Sequence, residues 1–548
     1  MTLMGIRTKV HNYFTFLLAV GLYLGLVITP AYSNPHVPTS RGTLPRASRV
    51  AREQTPEGDR FEPNKQPAVP AWRYAWKYKT EDFKSDASKS EQFLNEYLAG
   101  EAEFFARARH PESGLTYDGW DLDPKTGQPV SAREFSAASK ECLDLAVCVK
   151  ALYGDPLISK VVSPQDPDRA PEIAADILGK KLRSYQRYQE QFPGFGGHVT
   201  WFHSGEEMRP VDGWKSAVPT LDMGEMAWAL LLAEKALKDT GHAETAEGYK
   251  EYNDHLIATA REVLYEPKSG GVRGHVTISD PKDPDATYSG DGIMTGEHGV
   301  HEGQMIVSYA TLFGGLDKDA RDHIWDDIEM KRIEHRYGTT WEGFWGSPHE
   351  EWAHLFLPYH DIEGFKNLFR IREKIRAQNA VDHGYPGFAA SAHHPTESRY
   401  MSAAGVEGIG SQPLEFQNTY TPYGAFPMLL QFAGEIQGNL GLAWLHNMLM
   451  GPKLQGPMGA GESGDNAGTG AAPVKTIDVS FTNLLALSGG LQKETAAMLK
   501  ERGKYQQFVE RMTSEYEEAF GSSPLREIED FAYPEAPAPV GTREYDFR

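Results

Sequence analysis

"GEHGVHEGQMIVSYATLFGG", residues 296–315, sets two acid–histidine pairs at the head of an apolar helical pattern. A helix starting near His298 carries His298, His301 and Glu302 on neighbouring faces of its first turn. Met305, Val307, Ala310 and Leu312 then form its apolar body. Three readings fit. His298 and Glu302 at i,i+4 can share a metal ion, given further ligands from elsewhere. Glu302 can be an acid that complements the positive end of the helix. Or it is a catalytic acid, which requires a second acid and a saccharide-shaped surround.

A second stretch has the same design. "VPTLDMGEMAWALLLAEKAL", residues 218–237, places Asp222 and Glu225 three apart at the start of another apolar helix. Asp222 as N-cap with Glu225 closing a capping box is the purely structural reading. Helical patterns recur over 89–108, 133–152, 170–191, 221–239, 243–264, 299–313, 317–333, 350–357, 362–378, 421–434, 437–450, 477–488 and 492–519. Long loops rich in Gly, Asp and aromatic residues separate them. Strand signals are sparse, with short hairpins at "GGHVTWFHS" and "GGVRGHVTIS". About twelve helices in hairpin pairs predict an all-α fold, an (α/α)6 toroid with minor β-hairpins. In a toroid the inner helices begin near one central cleft, so acids at their N-termini converge there. A solenoid is the alternative, but no fixed-period repeat supports it.

Composition agrees with a large folded chain: 548 residues, 40% hydrophobic, with 25 Tyr, 25 Phe and 11 Trp. A net charge of −21 speaks against a nucleic-acid partner, which needs a basic surface. Residues 1–33 read as a secretory signal: Arg7 and Lys9, an apolar run over 14–28, then Ala31-Tyr32-Ser33 as a cleavage site near Ser33. This predicts a periplasmic or secreted protein without stable membrane insertion once cleaved; an uncleaved anchor is the alternative. Residues 34–85 form a Pro-rich linker or wrapping arm, 86–520 one catalytic domain, and 521–548 a Pro-rich acidic tail. Cys142 and Cys148 lie six apart on a predicted helix, about 9 Å of rise, so both are expected as buried thiols. Nothing in the sequence bears on oligomeric state.

Several motifs fail. "HEEWAH", residues 349–354, spaces its histidines five apart rather than the four of a zinc-protease helix. "GTGAAPVKT" lacks the ending of a phosphate loop, and no G-x-S-x-G elbow occurs. "SDPKDPDATYSGDG" is an acidic surface loop without calcium-loop spacing. No metal and no cofactor is therefore expected. The loops instead carry Trp201, Phe202, His203, Trp341, Phe344, Trp345, Trp352, Tyr400, Tyr420 and Tyr423. Such aromatic residues stack on the apolar faces of sugars while acids grip hydroxyls.

The order of motifs resembles the glucoamylase-like domain of β-1,2-glucan-active enzymes, glycoside hydrolase families 144, 162 and 189. The likeness is carried by "FFARARHPESGLTYDGWD", which holds Asp118, and by "LDMGEMAWALLLAEKAL" and "GVHEGQMIVSYATLFGG". "YPGFAASAHHPTESRYMSAAG", "QNTYTPYGAFPML", "GPMGAGES" and "TIDVSFTNLLALSGG" continue it, in collinear order over residues 95–490. Ala392 and Asn418 replace acids of the family, and Glu225 and Glu462 stand where it has other acids. The resemblance implies a β-glucan hydrolase, β-1,2-linked in that group, with an inverting mechanism. It makes Glu302 the general acid, with His298 or His301 orienting it. Asp222, Glu225 and, less directly, Glu462 or Asp465 are the candidate bases. Asp118, Trp201, His203, His298, His301, Trp341, Trp345, Tyr400, Tyr423, Glu462 and Asp465 are the expected contacts to an oligo- or polysaccharide. Two other readings stay open: a non-catalytic glycan-binding toroid, and a polysaccharide lyase of the same architecture.

Overall fold

Every residue of the helices Gly303–Phe313 and Ile477–Leu487 is buried, and all but one in Ala138–Leu152. Such segments have no solvent face, so they must be surrounded by other helices. In this computed structural model the described residues are 73–290 apart from 77, 303–529 and 546–547. Within 303–529, the stretches 389, 396–398, 402–404, 413–417, 436–438, 451–452 and 469 also fall outside the description.

Six outer–inner pairs are strung along residues 87–487. They are α1 (Ala87–Phe105) with α2 (Ala138–Leu152), α3 (Ala170–Gln191) with α4 (Thr220–Asp239), and α5 (Ala243–Leu264) with α6 (Gly303–Phe313). The remaining three are α7 (Lys318–Asp327) with α8 (Trp352–Phe356), α9 (Glu363–His383) with α10 (Phe426–Gln431), and α11 (Leu440–Met450) with α12 (Ile477–Leu487). The inner helices pack in sequence, α2 on α4, then α6, α8, α10 and α12, and α12 closes the ring on α2. This is the (α/α)6 toroid. Gly224 lets α4 and α6 touch: a Cβ there would lie 2.5 Å from the Ile306 Cβ. Two further helices, α13 (Gln492–Glu501) and α14 (Tyr505–Phe520), follow the ring.

The structure departs from the sequence expectations at helix ends. α2 starts at Ala138 rather than 133, because Pro129–Arg133 pairs with Gly119–Leu122 as a hairpin. α7 stops at Asp327, since Arg332–His335 pairs with Gly338–Trp341. The pattern over 492–519 is broken at Gly503, whose φ of +66° is left-handed. Short strands run directly into two inner helices. Ala217–Pro219, paired with His275–Ile278, leads into α4, and Val474–Thr476, paired with Gly119–Leu122, leads into α12.

Buried ion pairs pin the loops at this end of the ring. Glu141 of α2 accepts from the Thr116 N–H at 2.8 Å and meets Lys181 of α3 at 2.5 Å, which fixes the turn before Asp118. Glu101 of α1 meets Lys475 at 2.6 Å and accepts from the Ala460 N–H at 2.9 Å, which fixes the strand before α12. Glu350 accepts from the Trp345 N–H at 2.6 Å beside Arg372, while Glu351 meets Arg376 at 2.6 Å. Breaking one partner of such a pair strands a buried charge, a cost of about 3–5 kcal/mol.

Residues 73–85 of the Pro-rich segment carry buried Tyr74, Trp76 and Phe83 and the helix Thr80–Ser85. Cys142 and Cys148 are both buried and free. Residues 1–33 lie outside the described residues. Among those described, no helix is long and apolar enough to cross a membrane.

Candidate active site

Lys140, in the first turn of α2, is where three inner helices and one loop meet. Its Nζ lies 3.1 Å from Asp478 Oδ2 in the first turn of α12. Asp222 in the first turn of α4 and Asp118 on the loop before Gly119–Leu122 are close enough for their charges to act on it. Burial opposes the ammonium, but these carboxylates outweigh it and hold Lys140 well above its usual range. The cation stays on and its neighbours divide. Burial pushes Asp478 up to about 6 against the pull of Lys140, with the charges of Glu462 and Asp118 adding to the rise. Burial likewise raises Asp222, opposed by Lys140 and by hydrogen bonds from Trp201 and Ser139. For Asp118 burial is outweighed by Arg133 and Lys140, so it is held below the usual carboxylate range. One acid fixed as an anion beside one that exchanges its proton near neutrality is an arrangement suited to acid–base chemistry.

A polar chain extends from this cluster. Arg133 donates to Asp118 Oδ2 at 2.7 Å, to Asp121 at 3.2 Å, and through Nη2 to His393 Nε2 at 3.1 Å. A guanidinium cannot accept, so His393 Nε2 carries the lone pair and the ring proton sits on Nδ1. That proton faces Glu462 Oε1 at 3.4 Å, and Glu462 Oε2 accepts from the Thr476 hydroxyl. Exposed Tyr400 stands edge-on to His393, ring centres 5.4 Å apart. Trp201 donates from Nε1 to Asp222 Oδ2 at 2.8 Å.

Of the residues named from sequence, the structure thus gathers Asp118, Trp201, Asp222, Tyr400 and Glu462. Others stand elsewhere. Glu225, 1% exposed, lies by the α2–α4 contact, where after burial its charge is the next cause raising the Cys142 thiol. Its carboxylate is buried at that contact. The capping-box reading also falls: α4 starts at Thr220, so Asp222 is inside the helix. Trp341 is fully buried against Phe369 and Arg372, in the core rather than on a sugar platform. Tyr423 is buried, its hydroxyl tied to the Ser391 carbonyl at 2.6 Å. His203 is exposed on the hairpin Phe202–Ser204 with Met208–Pro210. Trp345 is half-buried against Phe344 and His349 on the loop before α8. Asp465 is buried in the pairing of Gly464–Asp465 with Thr419–Tyr420. Glu302, His298 and His301 lie outside the described residues.

Sequence reasoning missed Lys140, Arg133, His393 and Asp478. For Asp478 a signal existed: Thr476-Ile477-Asp478-Val479 repeats the pattern Thr220-Leu221-Asp222-Met223 at the head of an apolar helix. For the other three, nothing local distinguishes them from surface residues. Among the described residues, both cations of the cluster pair with carboxylates, whereas a uronate-cleaving lyase would need a free basic lining. Among the described residues, no group of three or more His, Cys, Asp or Glu could hold a metal ion.

The sequence pattern of endo-β-1,2-glucanase SGL, glycoside hydrolase family 162, matches residues 115–547. The structure is similar to the endo-β-1,2-glucanase from Talaromyces funiculosus in complex with sophorose. The TM-score is 0.79 and the identity 29%, covering 86% of this chain and 97% of that one. A Glu-to-Gln mutant of the same enzyme, in complex with β-1,2-glucan, gives the same TM-score of 0.79. The endo-β-1,2-glucanase from Chitinophaga pinensis, with sophorotriose and glucose, shares the fold at 12% identity and a TM-score of 0.54, covering 75% and 97% of the two chains. Among curated proteins no sequence matches this one.

Proposed function

The chain belongs to the endo-β-1,2-glucanases of glycoside hydrolase family 162 and is a β-glucan hydrolase; from this premise we propose that it cuts β-1,2-linked glucan with inversion at the anomeric carbon. The observation that carries the reading is the family match over 115–547, which includes Asp118, Lys140, Asp222 and Asp478, the residues that meet at the head of the ring.

Glu302 directly precedes α6, an inner helix with every described residue buried. In this reading it is the general acid. It gives its proton to the glycosidic oxygen as the bond from that oxygen to the anomeric carbon breaks. Water attacks the anomeric carbon from the opposite face, and its proton passes to the Asp478 carboxylate. Asp478 suits the task because a base poised near the working pH takes up and returns a proton readily. Lys140 keeps it ionised above about 6. An inverting pair needs roughly 6.5–9.5 Å between carboxyl groups, room for that water. The apolar run and cleavage site within residues 1–33 add export to the proposal.

The test is a panel of β-1,2-, β-1,3- and β-1,4-glucans given to the protein recovered from the periplasmic or extracellular fraction, with its N-terminus sequenced. The expected result is a chain beginning after residue 33 that cleaves the β-1,2-glucan alone and first releases α-anomeric products by NMR. Glu302→Gln should lose hydrolysis while still binding oligosaccharide. Near-normal turnover in that variant, or β-anomeric first products, would sink the mechanism.

A further inference from the structure

A row of aromatic rings leads away from the acid cluster. The Arg133 guanidinium carbon lies 5.3 Å from the centre of the Phe135 ring. Phe135 is 6.4 Å from Trp201 with planes 18° apart, and Trp201 is 5.9 Å from Trp214 with planes 11° apart. Trp214 in turn is 5.6 Å from His275. All four rings are half-buried, so each keeps some apolar surface in water.

The row is fixed at both ends. At its inner end Arg133 is bonded to Asp118 and His393, and Trp201 to Asp222, so the row begins inside the cluster. Farther out, the Trp214 carbonyl accepts from the Thr200 hydroxyl at 3.0 Å, and His275 belongs to the strand paired with Ala217–Pro219. The cations along it are paired, Lys215 with Asp212 beside Trp214. Arg133 is matched by Asp118 and Asp121, and burial lowers the affinity of His275 for a proton. A neutral surface of fixed rings suits a neutral saccharide, whose C–H faces pack on aromatic rings, better than it suits a polyanion. Rings already held in place lose little freedom when covered.

We infer that Phe135, Trp214 and His275 extend the cleft into a binding row for sugar residues of the glucan chain remote from the bond being cut. The inference rests on the proposed β-1,2-glucanase reading. Long chains reach the row and short ones do not, so it contributes to the cleavage of polymer above that of small oligosaccharides.

The test compares wild type, Trp214→Ala and Trp214→Phe on β-1,2-glucan and on the shortest β-1,2-linked oligosaccharide that is cleaved. The ratio of kcat/KM, polymer over oligosaccharide, should fall about 3- to 10-fold in Trp214→Ala, the scale of one aromatic contact. Trp214→Phe should restore most of that ratio. An unchanged ratio overturns the inference. His275→Ala replaces Trp214→Ala should the latter fail to fold, with the same criterion. If wild type cleaves no β-1,2-glucan, the functional proposal fails on its own. The row is then judged by calorimetric titration with a panel of neutral glucans: weaker binding in Trp214→Ala supports it, and equal or absent binding overturns it.

Discussion

The heads of α4 and α12 are near copies in sequence and different in chemistry. Each adjoins a three-residue strand and carries Thr, an apolar residue, Asp and a second apolar residue where strand passes into helix: Thr220-Leu221-Asp222-Met223 and Thr476-Ile477-Asp478-Val479. Asp222 accepts from the neutral indole of Trp201, whereas Asp478 faces the Lys140 ammonium at 3.1 Å and stands near Glu462 and Asp118. Burial raises both acids. The Lys140 charge acts on both, and what separates them is the group in contact. An indole N–H holds one geometry and exchanges nothing, while an ammonium among several acids sets where the proton leaves.

The comparison can be broken by three substitutions. Asp478→Asn should have the largest effect, a fall in kcat of roughly 10²–10⁴-fold on β-1,2-glucan, with circular dichroism checking that the variant is folded. In wild type, activity should rise with pH through about 6 as Asp478 gives up its proton, and this acid limb should vanish in Asp478→Asn. Lys140→Met comes next. Its charge favours the ionised Asp478, so its loss leaves the carboxyl protonated to higher pH. The acid limb should then move up by about one unit or more in kcat/KM profiles. Asp222→Asn should matter least, less than about tenfold in kcat, because an amide oxygen accepts the Trp201 N–H as well as a carboxylate does. Equal losses at Asp222 and Asp478 would erase the distinction between the two helix heads.

Most of the fold was legible because burial writes itself into a helix. Segments such as 299–313 and 477–488 have no polar face, and only an inner ring accommodates them. Helix ends were less legible, since the strand pairings that stop α7 and delay α2 join residues whose match is invisible locally. The sequence singled out three acids of the cluster, but neither its cations nor Asp478. Asp118, Asp222 and Glu462 sit in recognisable motifs, but Lys140 and Arg133 matter only through carboxylates brought from far along the chain. Aromatic residues misled for a physical reason. Trp341 and Trp201 look alike in sequence, yet one is sealed under Arg372 and the other faces Asp222, a difference decided by tertiary packing.

Ring closure has a consequence in time. Asp118, Lys140 and Asp222 are made early in synthesis, but Asp478 belongs to the last inner helix, which joins α12 to α2 across more than three hundred intervening residues. Contacts so distant in sequence form late, because loop entropy must be overcome before they contribute. A chain released before α12, or one whose ring has opened at the α12–α2 seam, keeps most of its helices and still lacks the acid that exchanges its proton near neutrality. With Asp478 as the proposed base, hydrolytic activity reports completion of the circle rather than folding of its arcs.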